Sequence, residues 1–339
     1  MKTRTSPRSE TSPKAGLMLG VLAVAVLVAV PSAQAAIVHK MELVGDNVDI
    51  NVATNWYETS QSGSGGHVYR AELNLGRTGY LDSTYTDGST KPQLNQNWYI
   101  NAGHFDLRNG ATLSKTGGVL EIKGTGGDES AATVTLNPGA SFASPGVYIA
   151  HNDGFAATFI VNNGGTVVAT TNIALGTWGT DASDGNTRTG VGVFKVIGDG
   201  GTIGADDFSI SKNSKAVFEL DGTGISTIQV GDELKIWDDG SGNPAGILSV
   251  DTSARGVGQY TVDLFTYGSL SGTFGTVQIL YGGDLLTPGT GTVKGTYNLD
   301  YTAGTGNKTV RLTYYSPEPA TLALMGLGGL GLVLGRKRR

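Results

Sequence analysis

Between Phe105 and about Trp237 the chain repeats itself. One strand type reads apolar-x-apolar, then a turn glycine, then another apolar residue. It occurs as Phe105-Asp106-Leu107 with Gly110 and Leu113, as Val134-Thr135-Leu136 with Gly139 and Phe142, and as Phe159-Ile160-Val161 with Gly164 and Val167. It recurs one residue longer as Phe194-Lys195-Val196 with Gly200 and Ile203, and in degenerate form as Phe218-Glu219-Leu220 with Gly222. The first residues of these copies lie 29, 25, 35 and 24 positions apart. Between the copies runs a second strand type: Leu120-Glu121-Ile122, Val147-Tyr148-Ile149, Ile173-Ala174-Leu175, Phe208-Ser209-Ile210 and Leu234-Lys235-Ile236. The two types alternate without exception.

Self-similarity at a period near 25 residues marks a solenoid. Alternation of period two, with no helical pattern between the strands, makes that solenoid a parallel β-helix. One coil cannot bury its inward face by itself. Coils stacked about 4.8 Å apart pair their backbones and pile the inward Phe, Val, Ile and Leu on one another. Glycine and asparagine suit the corners because they tolerate positive φ. A β-sandwich of short hairpins, the alternative, also gives regular strands. The long interval between Phe159 and Phe194 holds Thr180-Asp181-Ala182-Ser183-Asp184-Gly185-Asn186, which reads as a loop extruded from one coil. The expected fold is therefore all-β, a parallel β-helix with an antiparallel C-terminal closing module. Composition agrees: glycine is 53 of 339 residues, more than twice the usual share of about 7%.

The flanks are less regular. Val48 to Val52 alternates, as does Val68 to Leu75, with a Ser/Gly loop from Ser60 to Gly66. Asn55-Trp56-Tyr57 and Asn97-Trp98-Tyr99 look alike and read as the starts of equivalent units. After Gly246 the period fades and longer alternating strands follow: Tyr260 to Phe265, Thr276 to Leu280, Thr296 to Tyr301 and Thr309 to Tyr314. A solenoid needs end caps to protect its open edges. The expected division is 1–35 signal peptide, 36–101 N-terminal cap and first coils, 102–245 β-helix repeats, 246–315 closing module, and 316–339 sorting tail.

Both ends carry addresses. Lys2, Arg4, Arg8 and Lys14 precede an apolar run of 14 residues, Leu17 to Val30. Ala33-Gln34-Ala35 follows as a small-residue cleavage site, with Ala36 as the first mature residue. This is the pattern of a secretory signal peptide. At the other end stand Pro317-Glu318-Pro319, an uncharged Leu- and Gly-rich run from Ala320 to Leu334, and Arg336-Lys337-Arg338-Arg339. As a helix that run would nearly span a bilayer core of about 30 Å, with the basic cluster held cytoplasmic. The arrangement resembles the PEP-CTERM sorting signal of exported bacterial proteins. That resemblance implies an exosortase-type processing protease that recognises the tripeptide and removes the helix. It also implies a transient inner-membrane anchor and a surface or matrix destination in a bacterium that makes exopolysaccharide. The repeats with their closing strands are similar to autotransporter passenger repeats.

Charge and cysteine content narrow the function. The chain carries 24 basic and 29 acidic residues, a net of −5. Removing the two signals takes four basic residues from each end with Glu10 and Glu318, which leaves 16 basic against 27 acidic and a net of −11. Such a balance disfavours nucleic acid and anionic lipid as partners. There is no cysteine, so thiol catalysis, thiolate metal sites and disulfides are excluded.

No catalytic motif stands out. His39, His67, His104 and His151 form no HxH, HxxxH or HExxH spacing, and His151, before Asn152-Asp153-Gly154, reads as a turn residue. The acidic pairs Asp206-Asp207 and Asp238-Asp239 point to opposite faces if extended, so a carboxylate dyad is not expected from either. Asp181, Asp184, Asn186, Asp199 and Asp206 lie in turns that could offer oxygen to calcium. Trp56, Tyr57, Trp98, Tyr99 and Trp178 suit either sugar stacking or packing. The expected function is an exported structural or adhesive protein of the cell surface or matrix, associated with exopolysaccharide and not catalytic. The alternative is a secreted β-helical polysaccharide lyase or glycoside hydrolase, which a cluster of carboxylates with Lys or Arg in one groove would favour.

Overall fold

The computed structural model describes residues 37–44, 46–62, 67–73, 77–87, 91–124, 131–151, 154–176 and 189–317. Among them there is no α-helix, only two short 3-10 turns, Ala53–Asn55 and Thr305–Asn307. The strands form one sheet of 16 and one of 10. In the 10-stranded sheet nine strands run parallel in chain order, from Val48–Asp49 through Gly103–Leu107, Ala132–Leu136, Ala156–Val161 and Val191–Ile197 to Thr276–Tyr281. The 16-stranded sheet receives the other half of each coil, either as one long strand such as Thr166–Leu175 or as two short pieces such as Ile228–Val230 and Glu233–Ile236. The fold is all-β, with the mostly parallel stacking of a β-helix.

Register follows the repeat. In the shorter sheet Phe105 stands beside Val134, Val134 beside Phe159, and Phe159 beside Phe194. In the longer sheet Leu120, Val147, Ile173, Phe208 and Leu234 form one column. Leu113, Phe142, Val167 and Ile203 form another. All of these residues are buried in the lumen between the sheets. The Phe159 ring stacks on Phe194 at 5.5 Å and meets Phe142 at 6.0 Å from the opposite sheet. At the corners Gly110, Gly139, Gly164 and Gly200 stand one above another with φ between +72° and +84°, so the turn glycine marks a left-handed residue in these four copies, whereas Gly222 of the fifth copy does not have a positive φ.

One register expectation is corrected. Phe218 points inward and is fully buried, but it pairs with Val196, not Phe194; Ala216 takes the place beside Phe194. Phe208 already fills the lumen next to Phe194, with ring centroids 5.5 Å apart, while Phe218 packs against Phe265 at 5.4 Å. A small residue fits where the opposite sheet supplies a ring. The same logic places Gly79 beside Phe105 in the column: a Cβ there would lie 2.8 Å from Leu43 Cδ2 and 2.9 Å from Ile50 Cγ2.

The two ends differ from the middle. Trp56–Ser62 runs antiparallel against Ile37–Leu43, whereas Trp98–Ile100 is a parallel strand within the stack. The two Asn-Trp-Tyr segments therefore do not begin equivalent units. Their tryptophans instead meet edge to face in the core, 6.5 Å apart. Of the alternation at Val48 to Val52 only Val48–Asp49 is strand. Coil stacking continues past residue 245, because Ile247–Asp251 and Thr276–Tyr281 are parallel neighbours. Gln259–Thr266, Thr296–Ala303 and Thr309–Tyr315 are joined antiparallel at the end of the longer sheet.

Candidate functional site

The outward residues of the coils are as ordered as the inward ones. On the first half of the longer sheet Thr84, Thr112, Ser141 and Thr166 lie side by side on successive coils. Thr202 and Thr227 continue the row, each directly before an inward residue, Ile203 or Ile228, of the next paired strands. Two residues along, a second row holds Ser114, Ala143, Val168, Gly204, Gln229 and Thr266. Neither row carries a charge. The outer face of the shorter sheet does, with Lys195 paired to Glu219 at 2.6 Å, and with Asp106, Lys215 and Asp251 in the same strands.

A shallow groove of about 540 Å³ crosses this face, lined by Val168, Thr170, Gly204, Gln229 and Thr266 among others, with the exposed carboxylate of Asp206 in its lining. Its cause lies in the backbone. The pairing of Thr166–Leu175 with its neighbours slips between Ala169 and Asn172, and that of Ser141–Ile149 slips between Ser144 and Gly146. Both slips reflect one extra residue in Thr166–Leu175, which is left out of the ladders on either side and bends that strand where the groove opens.

A cluster of titratable groups, not foreseen from the sequence, sits on the second half of the same sheet. Tyr99, Glu121 and Tyr148 occupy one outward column. Lys123 Nζ lies 3.4 Å and His151 Nε2 3.6 Å from the same oxygen of Glu121, and Lys123 also stands over the Tyr99 ring at 4.4 Å. His151, expected in a turn, follows Ala150, whose φ is +53°, and packs against Tyr148. Glu121 and His151 are both over nine-tenths buried, and the carboxylate is already engaged by two nitrogens. The signal was the column position of Tyr99, Glu121 and Tyr148, which is legible only once the register is known.

The other sequence candidates are dispersed. Asp238 Oδ1 accepts from Gly240 N, while Asp239 accepts from Ser241 N, Asn243 N and Asn243 Nδ2. These bonds, the Asn243 side chain first, hold the Asp239 carboxyl below its usual range. Asp207 accepts from Glu233 N, and Asp199 from Gly200 N. His104 lies exposed on the outer face of the shorter sheet. Asp181, Asp184, Asn186 and Trp178 lie outside the described residues. Among the described residues no group of three or more His, Asp or Glu is placed to hold a metal. Trp56 and Trp98 are core residues: their Nε1–H groups donate to Ile50 O and Gln93 O. Tyr57 is 64% exposed.

Near the end of the described residues the chain is anchored. Ser316 is fully buried; its N–H donates to Gly258 O, its hydroxyl to Gly256 O, and Gly258 N donates back to its Oγ. Pro317 follows directly. Glu318, Pro319, Arg336, Lys337, Arg338 and Arg339 lie outside the described residues, as do Ala33, Ala35 and Ala36 and the expected membrane helix from Ala320. Among the described residues no helix is long and apolar enough to cross a membrane.

Residues 317–339 match the PEP-CTERM protein-sorting motif. The motif thus starts one residue beyond the Ser316 anchor. No curated protein and no solved structure matches the chain. A PEP-CTERM signal is read by an exosortase, and it marks this chain as a protein exported to the cell surface or beyond.

Proposed function

We propose that the protein is a structural or adhesive component of the bacterial surface or matrix that holds exopolysaccharide along its uncharged outer face. The observation that carries this reading is the double row of mostly hydroxyl, small and amide side chains, the rows themselves free of charge in an otherwise acidic chain, with a groove beside them that crosses several coils and includes Asp206 in its lining. An extended polymer lying across the coils would meet the same weak contact every 4.8 Å or so. Contacts of that kind add up through avidity without any one being strong. The coils are read as autotransporter-passenger-like repeats, and both signals as removed, with the mature chain starting at Ala36 and the membrane helix lost after transient anchoring.

The enzyme reading has one observation in its favour, the Glu121, Lys123 and His151 cluster. General acid–base catalysis needs groups within reach of substrate, and the Glu121 and His151 of this cluster are buried. The exported protein should therefore be retained on polysaccharide without turning it over. Incubation with a panel of bacterial and plant polysaccharides, following retention, reducing ends and unsaturated products, decides. Sustained product release that disappears in Glu121→Gln would establish the enzyme instead. Intact-mass analysis of the exported protein should show a start near Ala36 and no Arg336 to Arg339.

A further inference from the structure

A second concavity lies apart from the uncharged face, at the far end of the outward column that begins with Tyr99, Glu121 and Tyr148 and runs through Ala174 and Ser209 to Lys235 and Ser271. Glu233–Ile236 pairs in parallel with Ser269–Ser271, which sets Lys235 beside Ser271. Beyond Ile236 the chain turns through Trp237 and Asp238 into a loop that returns at Pro244, bridged to Asp238. The hydrogen bonds of Asp239 to Ser241 and Asn243 hold that loop in shape. Between loop and strand ends opens a cleft of about 510 Å³ lined by Lys235, Trp237, Asp238, Pro244, Ser271 and Thr273. Its size is that of a small-molecule site.

Three features of the lining point to a ligand. Lys235 Nζ lies 4.1 Å from the centre of the Trp237 ring, and among the described residues no carboxylate stands within ion-pair distance of it. Trp237 is only 6% exposed, and among the described residues its Nε1–H has no hydrogen-bond partner. A buried donor left unpaired is destabilising, and native structures rarely keep one without a use. Asp238 spends Oδ1 on Gly240 N, which leaves Oδ2 to accept. The cleft therefore offers one cation held over the Trp237 ring, the hydroxyls of Ser271 and Thr273, and one free carboxylate oxygen.

We propose that this cleft binds the carboxylated ring of an acidic sugar. Lys235 meets the carboxylate beside the Trp237 ring, and Asp238 accepts from a sugar hydroxyl. A neutral sugar leaves the ammonium without a counter-charge. A phosphate dianion meets a single cation with Asp238 on the same rim, and so is repelled more than a carboxylate monoanion. The sugar could arrive free or as a unit of a polymer. The cleft is separate from the uncharged face, so either site can fail while the other stands.

The test is ¹⁵N NMR of the indole N–H signals of the exported protein, with Trp237→Phe assigning the Trp237 signal. Sodium glucuronate should move that signal, and glucose or inorganic phosphate at equal concentration should not. Lys235→Met should weaken glucuronate binding roughly tenfold, the scale of one charge-assisted hydrogen bond, and Lys235→Arg should keep most of it. Far-UV circular dichroism checks that the variants fold. Equal affinity for the monosaccharide and for uronate oligomers identifies a free sugar as sufficient, and tighter binding of oligomers identifies a polymer unit; both support the site. No shift with any uronate, an equal shift with glucose, or a Lys235→Met variant that binds as well as the parent would each overturn it.

Discussion

The parallel coils of residues 103–236 and the antiparallel strands Gln259–Thr266, Thr296–Ala303 and Thr309–Tyr315 bury their side chains by different rules. In the coils each inward residue lies on a residue of the same kind one coil away, and position in the column decides burial: Leu120, Val147, Ile173 and Phe208 are all fully buried. In the antiparallel strands individual cross-strand pairs matter. Asp263 and Arg311 face each other and join through two bonds of 2.6 and 3.0 Å, and Tyr260 stacks on Tyr314 at 5.4 Å. Gln259–Thr266 keeps only Leu264 and Phe265 buried. A column is thus tolerant of which apolar residue it holds, so long as the opposite sheet leaves room. The pairs at the end are specific and half exposed.

The sharpest way to break this contrast is to remove a ring from the lumen. Phe159→Ala should cost about 3–5 kcal/mol in denaturant unfolding, because the cavity between Phe142 and Phe194 cannot collapse. A cost below 1 kcal/mol would mean that the column is not packed as described.

The next effect concerns the exception within the coils. Lys115 is 5% exposed, donates to Gln96 O and lies against Trp98. Burial pushes its pKa down from 10.5 to about 7, partly offset by Asp87. Between pH 7 and 10.5 the unfolded chain holds a proton that the folded chain has shed, so this group makes stability rise with pH across that window. Lys115→Met should therefore stabilise most below pH 7, by about 1–3 kcal/mol, and the gain should shrink toward pH 10.5. Unfolding at pH 6 and pH 10 checks both magnitude and sign.

Smaller still is the pair at the antiparallel end. Arg311→Met should cost about 0.5–1 kcal/mol, the upper range for a partly exposed bidentate pair, and the loss should be reduced in high salt. On the outer face of the coils Lys195→Met loses only the pairing with Glu219 and should cost about 0.5 kcal/mol or less. If Lys195→Met cost more than Arg311→Met, the assignment of specific pairing to the end and of column packing to the middle would be inverted.

Much of the coil region was legible because both strand types put large apolar residues at every second position. The turn glycines marked the left-handed corners. The misplacement of Phe218 arose because sequence similarity aligns Phe with Phe, whereas packing aligns volumes across the lumen, and Phe208 and Phe265 come from the other sheet. Gly79 was silent for the same reason. The Asn-Trp-Tyr likeness misled because Trp56 and Trp98 reach one core from strands of opposite sense. Of the sites, the sorting tail is contiguous and could be read directly. The uncharged face, the Glu121 cluster and the Lys235 cleft each gather residues from different coils, so they appear only when the register is fixed.

That register is the claim on which the faces, the groove and the cleft all depend. The chain has no cysteine, which gives a clean background for cross-linking. Thr135 and Ile160 are outward neighbours on adjacent coils, and Lys195 is one coil further. The measurement is the rate of disulfide formation under mild oxidation in the double variant Thr135→Cys with Ile160→Cys, against Thr135→Cys with Lys195→Cys. Parallel stacking predicts rapid intramolecular closure in the first and little in the second, since a disulfide needs Cα atoms within about 7 Å. Equal rates in the two variants, or closure only in the second, would contradict the stack.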